Sequence, residues 1–292
     1  MFSGSIVALV TPFKDGKVDG KSLEGLIEFH LRNGTHGIVP CGTTGESATL
    51  SHQEHDEVIR AVIKTVNKRI PVIAGTGSNS TDEAVRLTRE AEKSGADGAL
   101  MISPYYNRPT QEGIYQHYRR IASEVGIPII VYNIPGRTGS KIEPETLARM
   151  AEIDNIVGVK EATGSVDQAI EVIRLCGERL AVYSGEDSLI FSLMALGGKG
   201  VISTVANIAP KECAQLTEAC LKGNWERGRE LQFKLMPLIR SVFIETNPIP
   251  VKTALSLMGK CDGDLRLPLT PMAEGNLKKL TQAMRDFGLL KN

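Results

Sequence analysis

The sequence predicts an α/β fold, a (β/α)8 TIM barrel with a C-terminal three-helix extension. Short apolar runs of strand length alternate with helical patterns eight times over roughly 220 residues. Beyond Gly223 the strand pattern stops while helical periodicity continues. Eight consecutive strand-helix units suit a closed parallel barrel better than an open doubly wound sheet, and no Gly-x-Gly-x-x-Gly follows the first strand to support a dinucleotide site. Composition agrees with a folded globular chain: of 292 residues, 41% are hydrophobic and 23% charged. With 34 basic against 34 acidic side chains the net charge is zero, which removes polyanion binding from the candidate functions.

The first strand is expected over residues 5–13, followed by a helix over 21–33 with Leu23, Leu26 and Ile27 on one face. The apolar start lacks a charged lead-in and runs into Thr11-Pro12, so it reads as a strand and not a signal peptide. No stretch approaches the roughly 20 apolar residues of a membrane-spanning helix. The remaining strands are expected at residues 37–41, 71–74, 99–103, 128–133, 156–160, 180–184 and 201–204. Ser51 with Glu54, and Ser80 with Glu83, place a hydroxyl at a helix start and an acid three residues on, the signature of an N-terminal cap. Gly34, Gly95, Gly126, Gly177 and Gly198 sit where left-handed helix stops are needed. Helices over 225–245, 248–259 and 271–287 should then pack on the barrel, dividing the chain into a catalytic barrel (1–223) and a helical lobe (224–292). The five cysteines (Cys41, Cys176, Cys213, Cys220, Cys261) are odd in number and form no Cys-x-x-Cys pair. That argues against a disulfide framework or a zinc site and makes a reducing cytoplasm the expected compartment.

Catalytic groups of such barrels come from the C-terminal ends of the strands. Lys160 ends an otherwise apolar sixth strand, where a period of two puts Gly158, Lys160 and Ala162 on one face and Val157 and Val159 on the other. With the valines against helices, Lys160 points into the barrel mouth, where burial lowers its pKa and frees a neutral amine to attack a carbonyl. A snorkelling or paired lysine at a strand end fits the same pattern. The second strand ends in Cys41-Gly42-Thr43-Thr44-Gly45-Glu46-Ser47, whose amides and hydroxyls suit a small carboxylate, and equally a tight turn. Tyr132 ends the fifth strand beside the lysine strand, placed either to transfer a proton or to fill the barrel. Arg137, in the Gly136–Gly139 loop, suits a bidentate grip on a carboxylate, or an ordinary surface role. Tyr105 and Tyr106 are adjacent between Pro104 and Pro109 and, pointing apart, can serve different sites.

Together these segments resemble the dihydrodipicolinate (4-hydroxy-tetrahydrodipicolinate) synthases of the pyruvate-dependent class I aldolase superfamily. The resemblance covers essentially the whole chain through Gly42-Thr43-Thr44-Gly45-Glu46, Pro104-Tyr105-Tyr106-Asn107, Tyr132-Asn133-Ile134-Pro135-Gly136-Arg137-Thr138-Gly139, Val159-Lys160-Glu161-Ala162-Thr163 and Asn247-Pro248-Ile249-Pro250-Val251-Lys252. It implies that Lys160 forms a Schiff base with pyruvate and that the enamine attacks L-aspartate 4-semialdehyde, with cyclisation to a hydroxylated tetrahydrodipicolinate of lysine and diaminopimelate synthesis. By the same resemblance Tyr132 is the proton donor, relayed through Thr43 and through a Tyr106 contributed across a dimer interface. Thr44 and the main chain at Ile202 would contact pyruvate, and Arg137 would orient the carboxylate of the second substrate. No metal and no cofactor beyond the covalent Schiff base is implied. The Gly-Arg-Thr-Gly run favours a synthase over the sialic acid and sugar-acid lyases of the superfamily. A silent keto-acid-binding barrel is disfavoured because Lys160, Tyr132 and Thr43 are all present.

His52 and His55, three apart on a helix, share a face. On their own they read as a polar outer surface, and no His-Glu-x-x-His pattern supports a metal. The resemblance implies more: Ser47, Ala48, His52, His55, Asn79, Glu83 and Tyr105 match a site for L-lysine as feedback inhibitor at a subunit interface. Glu83 would hold its ammonium group and Asn79 its carboxylate. The implied partners are thus pyruvate, L-aspartate 4-semialdehyde, L-lysine and further copies of this chain in a homotetramer of tight dimers, with no nucleic acid and no membrane.

Overall fold

A computed structural model describes residues 2–290. Eight parallel strands form the barrel: β1 (Gly4–Ala8), β2 (Gly37–Val39), β3 (Ile73–Gly75), β4 (Gly98–Ile102), β5 (Ile129–Asn133), β6 (Ile156–Glu161), β7 (Ala181–Ser184) and β8 (Gly200–Ser203). They are hydrogen-bonded in the order β2-β1-β8-β7-β6-β5-β4-β3. The Ile38–Val72 bridge and the Gly75 amide donating to the Pro40 carbonyl (2.9 Å) close the ring. The helices are α1 (Gly20–Arg32), α2 (His52–Val66), α3 (Thr81–Lys93), α4 (Gln111–Ala122), α5 (Pro144–Met150), α6 (Val166–Cys176), α7 (Ile190–Ala195) and α8 (Pro210–Leu221). Three more follow the barrel: α9 (Trp225–Val242), α10 (Ile249–Leu257) and α11 (Glu274–Phe287). No helix among the described residues is long and apolar enough to cross a membrane.

All eight expected strands form, with ends differing by a few residues. The largest difference is in the first, which leaves the sheet at Ala8 instead of running to Phe13. Pro12 has no amide to donate, and the chain turns into a small hairpin pairing Phe13–Lys14 with Lys17–Val18. Its turn, Asp15-Gly16, takes positive φ at both residues (51° and 75°), as a two-residue hairpin turn requires.

Side-chain alternation divides the interior into two layers. Ile6, Ile73, Leu100, Ile130, Tyr183 and Ile202 fill the lumen. Their outward neighbours, such as Val131, Val159 and Val182, pack against the helices. At the N-terminal end of the lumen the Tyr183 hydroxyl donates to the Phe2 carbonyl (2.7 Å), and the Phe2 ring packs against the lumen cluster. The expectation that Val157 would join Val159 on the outer face is corrected: Val157 packs against the lumen cluster. Its cause is a register shift, since Ile129 pairs with Ile156 but Ile130 pairs with Gly158. A side chain at Gly158 would lie 2.9 Å from both the Ala181 carbonyl oxygen and the Tyr183 ring.

Helix caps follow the sequence with three exceptions. Ser51 and Glu54 form the full reciprocal cap of α2. Ser80 accepts from the Glu83 amide, but the Glu83 carboxylate turns away to the Ser78 hydroxyl and the His52 ring, so α3 has only half of that device. Among the five expected glycine stops, Gly126 and Gly198 are not left-handed; after α7 that role falls to Gly197 (φ 104°). The extension is no appendage held at its edge. Leu231, Leu235, Leu238, Val251 and Leu280 share one core with Val7, Ile38 and Val201 of the barrel.

Candidate active site at the barrel mouth

Register brings the first two candidates together. Tyr132 on β5 pairs directly with Lys160 on β6, so both side chains leave the sheet on the same face. The Lys160 Nζ lies 4.2 Å from the centre of the Tyr132 ring, and both residues are buried, at 6% and 7% exposure. Burial lowers the Lys160 pKa from 10.5 to about 8, and Arg137 pushes the same way, while the carboxylates of Asp187 and Glu186 oppose it. A sizeable share of the amine is therefore neutral near pH 8, as nucleophilic attack requires. Burial pushes the Tyr132 phenol up, whereas Arg137 and a hydrogen bond with Thr43 hold it down. The phenol stays protonated at neutral pH and is available as an acid.

Thr43 and Thr44 come from the loop after β2, a tight turn in which the Gly45 and Glu46 amides donate to the Gly42 and Thr43 carbonyls (both 3.1 Å). Close approach from β3 makes this turn possible: a Cβ at Gly75 would sit 2.4 Å from the Cys41 carbonyl oxygen. The tight turn read from the sequence thus forms, and it carries Thr43 and Thr44 to the cavity described next. Arg137 lies in a single helical turn, Pro135–Thr138, and donates to the Asn247 carbonyl (3.0 Å). The Asn247 amide nitrogen in turn donates to the Thr44 hydroxyl (2.9 Å).

Thr43, Thr44, Tyr132, Arg137, Lys160 and Glu186 line a cavity of about 50 Å³. Ile202 is not among the lining residues; its side chain belongs to the lumen cluster. Tyr106 is also outside it, 91% exposed and held at φ 71°. A second, wider cavity of about 480 Å³ shares Thr43, Tyr132 and Arg137 with the first and extends outward to Ser47, Ala48, His52, His55, Glu83 and Tyr105. One chain therefore brings six of the seven residues of the second constellation to one hollow. Asn79 does not line it, but its side chain donates to the Tyr105 carbonyl (3.1 Å). Glu83 meets the His52 ring at 2.7 Å, and its hydrogen bond from Ser78, ahead of His52, holds its carboxyl below the usual range. His55 is buried, which lowers its pKa, and its Nε2 meets the Gly75 carbonyl at 2.9 Å. A carbonyl only accepts, so that nitrogen carries the proton.

Sequence reasoning assigned no role to Asn247, Glu186 or Asp187. Asn247 joins Thr44 to Arg137. Asp187 is fully buried, accepts from the Thr204 and Val205 amides (3.1 and 2.8 Å), and supplies counter-charge to Lys160. For Asn247 the only local signal was its place in Asn-Pro-Ile-Pro, and for the two acids their position after β7.

The family model for the dihydrodipicolinate synthetase family matches residues 1–286. A 4-hydroxy-tetrahydrodipicolinate synthase of Thermodesulfovibrio yellowstonii is 59% identical over 291 residues, 100% of both chains. Among solved structures, the chloride-inhibited dihydrodipicolinate synthase of Acinetobacter baumannii complexed with pyruvate superposes with a TM-score of 0.98 at 50% identity, covering 99% of this chain and 100% of that one. The enzyme of Cyanidioschyzon merolae with lysine bound gives 0.96 at 42% identity, covering 99% of each. Near-complete coverage at these identities means that this chain belongs to the dihydrodipicolinate synthetase family.

Proposed function

We infer that this protein condenses pyruvate with L-aspartate 4-semialdehyde to give 4-hydroxy-tetrahydrodipicolinate, in lysine and diaminopimelate biosynthesis. The observation that carries the reading is the buried Lys160 amine, with its pKa brought down to about 8, set against a protonated phenol in a small polar cavity. The neutral amine attacks the keto carbon of pyruvate, and loss of water gives the imine. Removal of a methyl proton then gives an enamine whose carbon attacks the aldehyde. The amine of the second substrate finally displaces Lys160 from the imine carbon, which closes the ring and frees the enzyme.

In this reading Tyr132 supplies and retrieves the protons, with the Thr43 hydroxyl beside it as relay. Thr44 and the Ile202 main chain hold pyruvate, and Arg137 grips the carboxylate of the aldehyde. Tyr106, exposed in a single chain, completes the relay in a second copy, within a tetramer of such dimers. The outer part of the wide cavity takes L-lysine as inhibitor, with Glu83 on its ammonium group and Asn79 on its carboxylate; a relative described with lysine bound supports this. Pyruvate and borohydride, followed by peptide mapping, test the central step. Reduced adduct on Lys160 alone is expected, and a folded protein without adduct would leave a keto-acid-binding barrel. Activity unchanged at saturating L-lysine would sink the regulatory part.

A further inference from the structure

A second lysine is buried even more completely. Lys252, on α10, has a side chain 0% exposed, and its Nζ lies 2.6 Å from Oε1 of Glu46, itself 1% exposed. The ammonium also sits 4.0 Å from the centre of the Phe13 ring, whose other neighbour is the Arg266 guanidinium at 4.3 Å. The other Glu46 oxygen accepts from the Arg266 amide (3.2 Å). Arg266 is fixed in turn by two hydrogen bonds to Glu54 (2.6 and 2.8 Å) and one to the Gly16 carbonyl. Glu46 is thus clamped by two parts of the extension at once, Lys252 and the residue 266 segment, which the hairpin's Phe13 and Gly16 hold in turn. Its own backbone is left-handed (φ 53°), and its amide donates to the Thr43 carbonyl.

Placing two charges in an apolar interior costs more than an apolar pair of the same size, so this arrangement is a poor device for stability alone. We propose that the Glu46–Lys252 pair positions the loop after β2, so that the Thr43 hydroxyl meets the Tyr132 phenol during proton transfer. Lys252 touches no substrate; it is a positioning residue acting through Glu46. The inference rests on the reading of Lys160 and Tyr132 given above. It also identifies a task for the extension, because α10 brings Lys252 to Glu46 just as the segment before it brings Asn247 to Thr44.

The test uses Lys252→Met and the paired variant Lys252→Met/Glu46→Gln. The single change strands a buried carboxylate and should lower the thermal midpoint; the pair removes both charges and should bring it back to within about 3 °C of wild type. If the ion pair positions the loop, kcat of the paired variant stays down by roughly ten- to hundredfold, pyruvate KM stays within about twofold, and pyruvate is still trapped on Lys160. Recovery of kcat together with the midpoint would reduce the pair to a structural one and overturn the proposal. Loss of the Lys160 adduct in the paired variant would overturn it too, since the damage would then not be confined to the relay. Should the paired variant not fold, Glu46→Gln alone, which keeps an acceptor for the Arg266 amide, reads the same split. Absence of the adduct in wild type would instead count against the catalytic reading itself.

Discussion

Burying Lys160 makes the folded protein bind fewer protons than the unfolded chain between pH 8 and 10.5. The penalty is fully present below about 8, where both states hold the proton, and fades as pH rises toward 10.5. Its size follows from the two pKa values, about 3 kcal/mol at neutral pH. Lys160→Met is therefore expected to abolish activity while stabilising the protein at pH 7, and urea unfolding at pH 7 and 9.5 should show the gain shrinking with pH. The same pKa predicts that the rate of borohydride-trapped adduct climbs from pH 6 and levels above about 8. A climb continuing past pH 10 would contradict a depressed lysine. Arg137→Ala should raise KM for the aldehyde roughly ten- to hundredfold, the loss of a charge-assisted carboxylate contact, yet leave pyruvate trapping intact. Steady-state kinetics with each substrate varied in turn checks this. At this scale the sequence was informative wherever a residue's neighbours decide its environment, as with Lys160 among Gly158, Val159 and Ala162. It was silent on Asp187, whose work depends on amides 17 and 18 residues away.

Among the elements, the strands were legible because parallel strands buried on both faces read as continuous apolar runs. Their ends were less so. Thr11-Pro12 already announced a break, yet the apolar run through Phe13 masked it. Val157 shows a different limit: a period of two assigns faces only while the register holds, and the shift between Ile129 and Ile130 moves this residue across the sheet. The β2–β3 junction tests how tightly the site is built. A methyl at Gly75 would overlap the Cys41 carbonyl at 2.4 Å, and backbone cannot swing aside as a side chain does. Gly75→Ala should cost about 2 kcal/mol in denaturant unfolding and lower kcat by displacing the Thr43 turn. Full activity with wild-type stability would mean that the loop is slack.

For the molecule as a whole, the barrel and its extension are joined by one hydrophobic core, which α9, α10 and α11 share with β1, β2 and β8. A fragment ending at Gly223 is expected to lack fixed tertiary structure, with near-UV circular dichroism lost, because it would expose the barrel side of that core. A well-folded fragment would contradict this. Three expected helices after Gly223 were readable from periodicity, but their contribution to the mouth was not: Asn247 reaches Thr44 across 203 positions and Lys252 reaches Glu46 across 206. Such pairings depend on closure of the fold and leave no local pattern. Closure has another effect, through the Tyr183–Phe2 contact at the far end of the lumen. With Ile6, Ile73, Leu100, Ile130 and Ile202 filling the space between that contact and the mouth, the barrel is packed through and is not a pipe. In the proposed reaction pyruvate enters, and the water released on imine formation leaves, on the mouth side, where the aldehyde also arrives. A pyruvate held on Lys160 as proposed lies between the packed lumen and the arriving aldehyde, so the shape itself sets an order of addition.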